Sequence, residues 1–239
     1  MHTPKKKPSR TNGRKQKRAP LSERFSENAI RSDGTNMRQR EIVNVSLEIL
    51  KEKGLSELSL REIAKRMDMQ APALYWHFKN KEMLVDYMAE AILKKEFENL
   101  KPRDEKEPWQ TWLVKTMLRL RTAMLAYPDG GRVVAGAHLD LAVTLLQLFE
   151  FAIESLVTAH VPGEKALSIT QTAIHYTFGC VIEEQSSPTP QQAARFNPGV
   201  FLASYPYFKK AMIAHSKKRG VRNKDFLMGL QYIIRGSEK

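Results

Sequence analysis

Basic side chains dominate the chemistry that this sequence can offer. Its 239 residues include 39 Lys and Arg against 26 Asp and Glu, which gives a formal net charge of +13 at pH 7. An excess of this size favours a polyanionic partner. It is strongest in residues 1–36, where ten basic residues stand against three acidic ones among many Pro, Ser and Asn. We predict a disordered basic arm here, which either adds sequence-independent phosphate contacts or is only a solvated terminus.

Catalytic chemistry is not indicated. The sequence contains no Gly-rich phosphate loop, no Gly-x-Ser-x-Gly and no His-Glu-x-x-His, so we expect neither an enzyme nor a cofactor. Cys180 is the only cysteine, which rules out an internal disulfide and a cysteine-rich zinc module. We interpret it as a small buried apolar residue. No apolar run approaches the roughly 20 residues that span a bilayer, so a cytoplasmic protein is expected.

The elements that must position the basic side chains are predicted to be helices. From about residue 37 onward the apolar spacing is helical and no strand-like alternation persists, which predicts an all-α fold. The first helix ends at Gly54. The buried face of this first helix is predicted to be a narrow stripe of Ile42, Val45, Ser46, Ile49 and Leu50.

Two short helices follow. Ser59 and Glu62 have the spacing of a capping box, which starts the second helix. The helix stops before Asp68, a residue type that tolerates the left-handed conformation of a tight turn. Pro72 then suits the first turn of a third helix. The inward residues of the second helix are predicted to be Leu60, Ile63, Ala64 and Met67. Two short helices joined by a three-residue turn are typical of a helix-turn-helix.

The third helix has the properties of a recognition helix. It is short enough to enter a major groove about 12 Å wide, and Leu74 and Phe78 lie four residues apart on the face that would anchor it. Asn80 then caps a fourth helix, predicted over 81–99. The residues expected near the surface of the third helix are Gln70, Ala71, Ala73, Tyr75, Trp76 and His77. For Tyr75 and Trp76 the alternative is ordinary core packing.

Two segments of the head carry a family resemblance. Leu58–Ala64 (Leu-Ser-Leu-Arg-Glu-Ile-Ala) and Pro72–Lys81 (Pro-Ala-Leu-Tyr-Trp-His-Phe-Lys-Asn-Lys) resemble the signature of the TetR family of transcriptional regulators. Asp68 departs from it, because the family usually has Gly there. Two later segments, His175–Glu183 and Phe226–Ile234, are similar to the tetracycline-responsive members of that family. The resemblance covers most of residues 38–239 but neither the arm nor the loop near 186–205.

The resemblance implies a cytoplasmic homodimeric repressor that binds a palindromic double-stranded DNA operator. With Gln70 from the helix surface, the DNA-binding set is then Arg61, Gln70, Ala71, Pro72, Ala73, Tyr75, Trp76, His77 and Lys81. We expect Arg61 to contact a base edge, because its guanidinium fits guanine bidentately. Tyr75, His77 and Lys81 would mainly hold phosphates. Ala71 stands where the tetracycline-responsive members have Gln, so the operator should differ.

The resemblance also implies an effector pocket in the C-terminal helices, predicted over about 109–127, 139–159, 164–185 and 222–235. The residues that match it are Phe97, Thr116, Leu120, Val134, Ala137 and Glu183, and the further candidates for the effector site are His138, His175 and Phe178. Phe97 and Val134 replace histidines, and Thr116 replaces an Asn. Because Phe and Val offer no ligand to a hard cation, we predict an apolar, metal-free pocket that does not suit tetracycline.

Two of the polar positions have a second interpretation. His175 is either a ligand contact or a hydrogen-bonded core histidine. Glu183 either meets a cationic ligand, pairs with His138 or His175, or is a surface carboxylate.

The predicted domains are a disordered arm (1–36), a helix-turn-helix domain (37–80), a connecting helix (81–100) and an effector and dimer domain (101–239). The last two long helices would form the dimer interface. Their apolar residues that a single chain is predicted not to cover are Leu227, Leu230, Tyr232, Ile233 and Ile234. Three other functions stay open at this point: a non-specific architectural DNA-binding protein, an activator, and a regulator without a small-molecule ligand.

Overall fold

The computed structural model describes residues 37–186, 190–195, 202–216 and 222–237, and the predicted basic arm lies outside these described residues. All regular elements within the described ranges are helices, so the predicted all-α fold is confirmed. The N-terminal helices are α1 (Met37–Lys53), α2 (Leu60–Arg66), α3 (Ala71–Tyr75) and α4 (Lys81–Phe97). The C-terminal helices are α5 (Trp109–Leu125), α6 (Gly130–Ala135), α7 (Val143–Val157), α8 (Gly163–Gln185), α9 (Pro190–Arg195), α10 (Pro206–Ser216) and α11 (Arg222–Ser237).

Local side-chain contacts set the ends of the head helices. The Ser59 hydroxyl accepts the Glu62 N–H at 3.2 Å at the start of α2. The other half of the predicted capping box does not form, because the Glu62 carboxylate accepts Lys53 Nζ at 2.7 Å instead. Asp68 adopts the left-handed conformation, with φ 50°, and so makes the tight turn between α2 and α3. Asn80 Oδ1 accepts the Met83 N–H at 2.9 Å and caps α4 as predicted.

The head has a small apolar core. Leu74 and Phe78, the predicted anchors of the third helix, are both fully buried. The buried face of α1 is wider than predicted, since Val43 and Leu47 are buried too and Val45 is only half-buried. The reason is that α1 packs against both α2 and α4. Each fully buried aliphatic side chain contributes about 1.5–3 kcal/mol relative to its exposed state, so this core holds α3 firmly in place.

The segment Asp129-Gly130-Gly131 is the start of helix α6. Asp129 has φ 57° at the N-cap position, and the chain becomes helical directly after it. Gln185 on α8 ties this start to the bundle, because its Oε1 accepts the Gly131 N–H at 2.9 Å and its Nε2 donates to the Tyr127 carbonyl at 2.8 Å. The start of α6 is therefore fixed against both α5 and α8.

Helices α8 and α11 pack closely together. The rings of Tyr176 and Phe226 stack with centroids 5.5 Å apart, and the Tyr176 hydroxyl donates to the Phe226 carbonyl at 3.2 Å. A Cβ on Gly229 would lie 1.9 Å from that hydroxyl oxygen, so only glycine allows this approach. Burial raises the pKa of the Tyr176 phenol, and hydrogen bonding with Cys180 adds to the shift. Cys180 is half-buried rather than buried as predicted.

The prediction that a single chain cannot cover the apolar residues of the last helix is wrong for most of them. Leu230 is 0% exposed and Ile234 is also buried, while Leu227 and Ile233 are half-buried. These side chains face the bundle of their own chain, because α11 packs against α8 and α5. Of the five, only Tyr232 is exposed, at 63%.

Candidate nucleic-acid interface and effector region

A shallow groove of about 370 Å³ lies where α2, α3 and α4 meet. Its lining consists of Ser59, Leu60, Arg61, Tyr75, Lys79, Asn80 and Lys81. The groove brings together Arg61, Tyr75 and Lys81, three of the predicted DNA-binding residues. Lys79 was missed by the sequence analysis, although its place in the Lys-Asn-Lys segment was visible. Capping of α4 by Asn80 holds the two lysines beside the end of α3.

Some basic side chains of the head are paired with carboxylates, and others are left available for a polyanion. The Arg66 guanidinium donates to both carboxylate oxygens of Glu52, at 2.9 and 2.5 Å, and this contact lowers the pKa of Glu52. Lys53 is likewise paired with Glu62 at 2.7 Å. Arg61, Lys65 and Lys79 are exposed and form no ion pair with any described residue. Unpaired cations that line one surface are the electrostatic footprint of a nucleic-acid-binding protein.

The exposed side of α3 is aromatic. Trp76 is 90% exposed and Tyr75 is 57% exposed, so core packing is not the role of either ring in this structure. Gln70 and Pro72 are exposed, and Ala71, Ala73 and His77 are half-buried. Lys81 is half-buried and its Nζ donates to the Leu55 carbonyl at 3.3 Å. This contact links the groove to the α1–α2 turn.

The predicted effector residues fall into three groups by exposure. Phe97, Thr116, Leu120 and Val134 are buried. Ala137 and Phe178 are half-buried, and His138, His175 and Glu183 are exposed in the single chain. His175 and Glu183 lie eight residues apart on α8, about two turns, and so share one helix face. Since both are exposed, that face points away from the bundle of its own chain. The structure therefore buries only part of this set.

One cation near the buried group was missed by the sequence analysis. The Arg119 guanidinium lies 4.8 Å from the centroid of the Phe97 ring. It also donates to the Glu96 carboxylate at 3.2 Å and to the Glu96 backbone carbonyl. Arg119 on α5 thus contacts both Glu96 and Phe97 at the end of α4 and links the two helices there. Nothing in the spacing of these residues indicated the contact, which joins two helices across the α4–α5 connection.

Two carboxylates on α4 hold the segment that follows α6. Asp86 is buried and its Oδ1 accepts the His138 N–H at 2.9 Å, while Oδ2 lies 3.1 Å from His138 Nδ1. One turn later, Glu90 accepts the Thr144 N–H and hydroxyl, both at 2.8 Å. His138 is therefore the partner of Asp86 and not of Glu183, which was one predicted pairing. These contacts connect α4 to residues adjacent to Val134 and Ala137.

Comparison with known proteins places the chain in a family. Residues 42–88 match the description "Bacterial regulatory proteins, tetR family" and residues 101–239 match "Tetracyclin repressor-like, C-terminal domain". The chain belongs to the TetR family.

No helix among the described residues is both long and apolar enough to cross a membrane.

The relatives include named repressors. The chain is 30% identical to the tetracycline repressor protein class G of Vibrio anguillarum over 205 residues, which are 86% of this chain and 95% of the relative. It is 32% identical to the class C protein of Escherichia coli over 205 residues, 85% of this chain and 92% of that one.

Solved structures agree with this assignment. TetR from Acinetobacter baumannii AYE has a TM-score of 0.64 at 29% identity, covering 85% of this chain and 97% of that one. TetR (class A) in complex with 5a,6-anhydrotetracycline and magnesium has a TM-score of 0.60 at 27% identity, covering 83% and 96%.

Proposed function

We propose that this chain is a transcriptional repressor that binds a palindromic DNA operator as a homodimer and leaves it when a small, mainly apolar organic molecule binds. The observation that carries the proposal is the groove of Arg61, Tyr75 and Lys81 beside the exposed ring of Trp76. Such a protein acts by binding rather than by catalysis. We place it in the cytoplasm, where the operator is.

The residues of the head divide into two roles. Arg61 lies on the exposed side of α2 without an ion-pair partner among the described residues, so its guanidinium is available for a guanine edge. Gln70 and the small residues Ala71, Pro72 and Ala73 allow α3 to approach the floor of the DNA major groove closely. Tyr75, Trp76, His77, Lys79 and Lys81 lie toward the helix ends and suit phosphate contacts, which fix register.

The proposed domains follow the helices. Residues 37–80 bind DNA, residues 81–100 connect, and residues 101–239 hold the effector and the dimer interface. The exposed faces of α8 and α11 are the proposed interface between two copies. A two-fold dimer presents its recognition helices to half-sites one helical turn apart, about 34–36 Å, which accounts for a palindromic operator.

The proposed effector site is centred on the buried residues Phe97, Thr116, Leu120 and Val134. A solved relative holds a tetracycline derivative with magnesium, and the residues here do not fit that metal. Val134 and Phe97 supply no oxygen or nitrogen donor, and the described residues contain no group of three or more His, Cys, Asp or Glu placed to hold an ion. A flat, lipophilic molecule with few polar groups suits this lining better.

Release is proposed to pass through α4. An effector that moves Val134 and Ala137 also moves His138, and the Asp86 carboxylate on α4 follows because it accepts the His138 N–H. A shift of α4 changes the separation of the two heads. Effector and DNA then favour different states of the same dimer, which is the thermodynamic basis of induction.

The Arg61→Ala variant tests the proposed DNA contact. We expect it to weaken binding to the preferred operator by about 1–3 kcal/mol and to relax specificity at one base pair in each half-site. The matched control is Lys65→Ala, one turn along the same face of α2, which should weaken all duplexes alike. Gel-shift titrations against single-base operator variants measure both. Equal binding by Arg61→Ala and the wild type would remove the assigned role.

A further inference from the structure

The α1–α2 turn of the head is bonded to the C-terminal bundle by one carboxylate. Asp129 Oδ2 accepts the backbone N–H of Leu55 at 3.0 Å, across 74 residues of sequence. Gly54, next to it, has φ 79°, and a Cβ there would lie 3.2 Å from the same oxygen. The turn and the carboxylate are therefore fitted closely to each other.

The same turn is held on its other sides. The Leu55 carbonyl accepts Lys81 Nζ at 3.3 Å, so both backbone groups of Leu55 are bonded. The Lys51 ammonium lies 5.0 Å from the centroid of the Tyr127 ring, two residues before Asp129. Attraction between a cation and an aromatic face adds a second contact across the same junction. The head meets the bundle here at a defined orientation.

Asp129 itself is fixed in the bundle. It begins α6, and the Gln185 side chain bonds the residues on both sides of it, Tyr127 and Gly131. Val134, a proposed effector residue, is five residues further along on the same short helix. Because Asp129 and Val134 belong to one short helix, a ligand at Val134 that moves α6 as a unit against Gln185 displaces the Asp129 carboxylate as well.

We propose that Asp129 is a positioning residue that sets the orientation of the DNA-binding head on the bundle, and that its bond to Leu55 breaks or shifts when α6 moves. The inference rests on the proposed function. It adds a second path from the effector site to the head, in addition to α4. Asp129 touches neither DNA nor effector in this account, and its effect on operator binding passes through the α1–α2 turn.

Two substitutions separate the hydrogen bond from the backbone conformation. Asp129→Gly removes the acceptor, while glycine adopts φ 57° without strain. Asp129→Asn keeps an acceptor oxygen, and asparagine also tolerates the left-handed region. Both are made in the full chain with Cys180→Ser and with spin labels at Asn44→Cys on α1 and Thr111→Cys on α5. The labelled chain is diluted with unlabelled chain, so that the distance between head and bundle is measured within one protomer and without DNA.

We expect Asp129→Gly to broaden the label-to-label distance distribution and to weaken operator binding about tenfold, as the loss of one hydrogen bond would. Binding to unrelated duplexes should stay unchanged, and Asp129→Asn should keep the wild-type distribution and affinity. If the label-to-label distance distribution of Asp129→Gly is unchanged, the proposal is wrong. This holds even if the melting temperature of the variant falls. If the wild-type chain prefers no palindrome, the proposed function fails, yet the distance measurement still decides the role of Asp129.

Discussion

Replacing Gly179 with glutamate is expected to convert the dimer into folded monomers and to remove high-affinity operator binding. Gly179 lies on the exposed face of α8, and a Cβ there meets no atom of its own chain within 4 Å. A side chain therefore costs nothing inside the protomer, and replacing a mid-helix glycine favours the helix by up to about 1 kcal/mol. Between two protomers the same side chain would bury an unpaired charge, which is strongly destabilising.

The residues around Gly179 explain why this face should pack against a second copy. Phe178 and Ile182 on α8 are half-buried, and Met228 and Tyr232 on α11 are 42% and 63% exposed. Contiguous apolar side chains on a surface mark an interaction site when they form a large enough patch. Tyr176 fixes α8 against α11, so the two helices present these residues as one face.

Light scattering, thermal melting and gel shift measure the outcome. For Gly179→Glu we expect a folded monomer that melts cooperatively but below the wild type, because dimerisation no longer stabilises it, and at least a 10³-fold loss on the operator, toward the non-specific level. Gly179→Ala is the matched control and should stay dimeric. Leu230→Glu gives a different result, because Leu230 is fully buried within its own chain and the variant should unfold. A dimeric Gly179→Glu protein would place the interface elsewhere.

Tetracycline with magnesium is expected not to release the operator at micromolar concentration. Val134 and Phe97 stand at positions matched to metal-binding and polar residues of the tetracycline-responsive relatives, and both are buried. Each polar group of the drug left without a partner costs about 1–3 kcal/mol. Two or three such losses weaken binding by several orders of magnitude.

Calorimetry with tetracycline and with 5a,6-anhydrotetracycline, each with and without magnesium, tests this expectation. The class A repressor, whose structure contains the second compound with magnesium, is the positive control in the same buffer. We expect heat of binding from the control and none from this chain at micromolar ligand. Submicromolar, magnesium-dependent binding to this chain would contradict the assignment of the pocket residues.

The head could be predicted from the sequence because its boundaries are set by local chemistry. Ser59 and Asn80 each bond a backbone N–H three residues away. Asp68 adopts the left-handed conformation, with φ 50°, which its own residue type tolerates. Leu74 and Phe78 are separated by one helical turn. All of this information lies within a few residues of the feature that it determines.

What could not be predicted depends on partners distant in sequence. His138 was expected to line a pocket or to meet Glu183, and its partner is Asp86, 52 residues away. Leu230 illustrates a different limit, because an apolar helix face has the same pattern whether its own chain or a second chain covers it. Likewise, only the structure distinguishes Arg66, neutralised by Glu52, from Arg61, which has no such partner among the described residues.

Selection of duplexes from a random pool by the full-length chain tests the central claim most directly. The enriched sequences, read after several rounds at physiological salt, should form one two-fold symmetric site with half-site centres about 10 base pairs apart. Its affinity should exceed that for unselected duplex by at least about 10³-fold. Enrichment of no sequence, with similar affinity for every duplex, would indicate an architectural DNA-binding protein and contradict the proposed repressor.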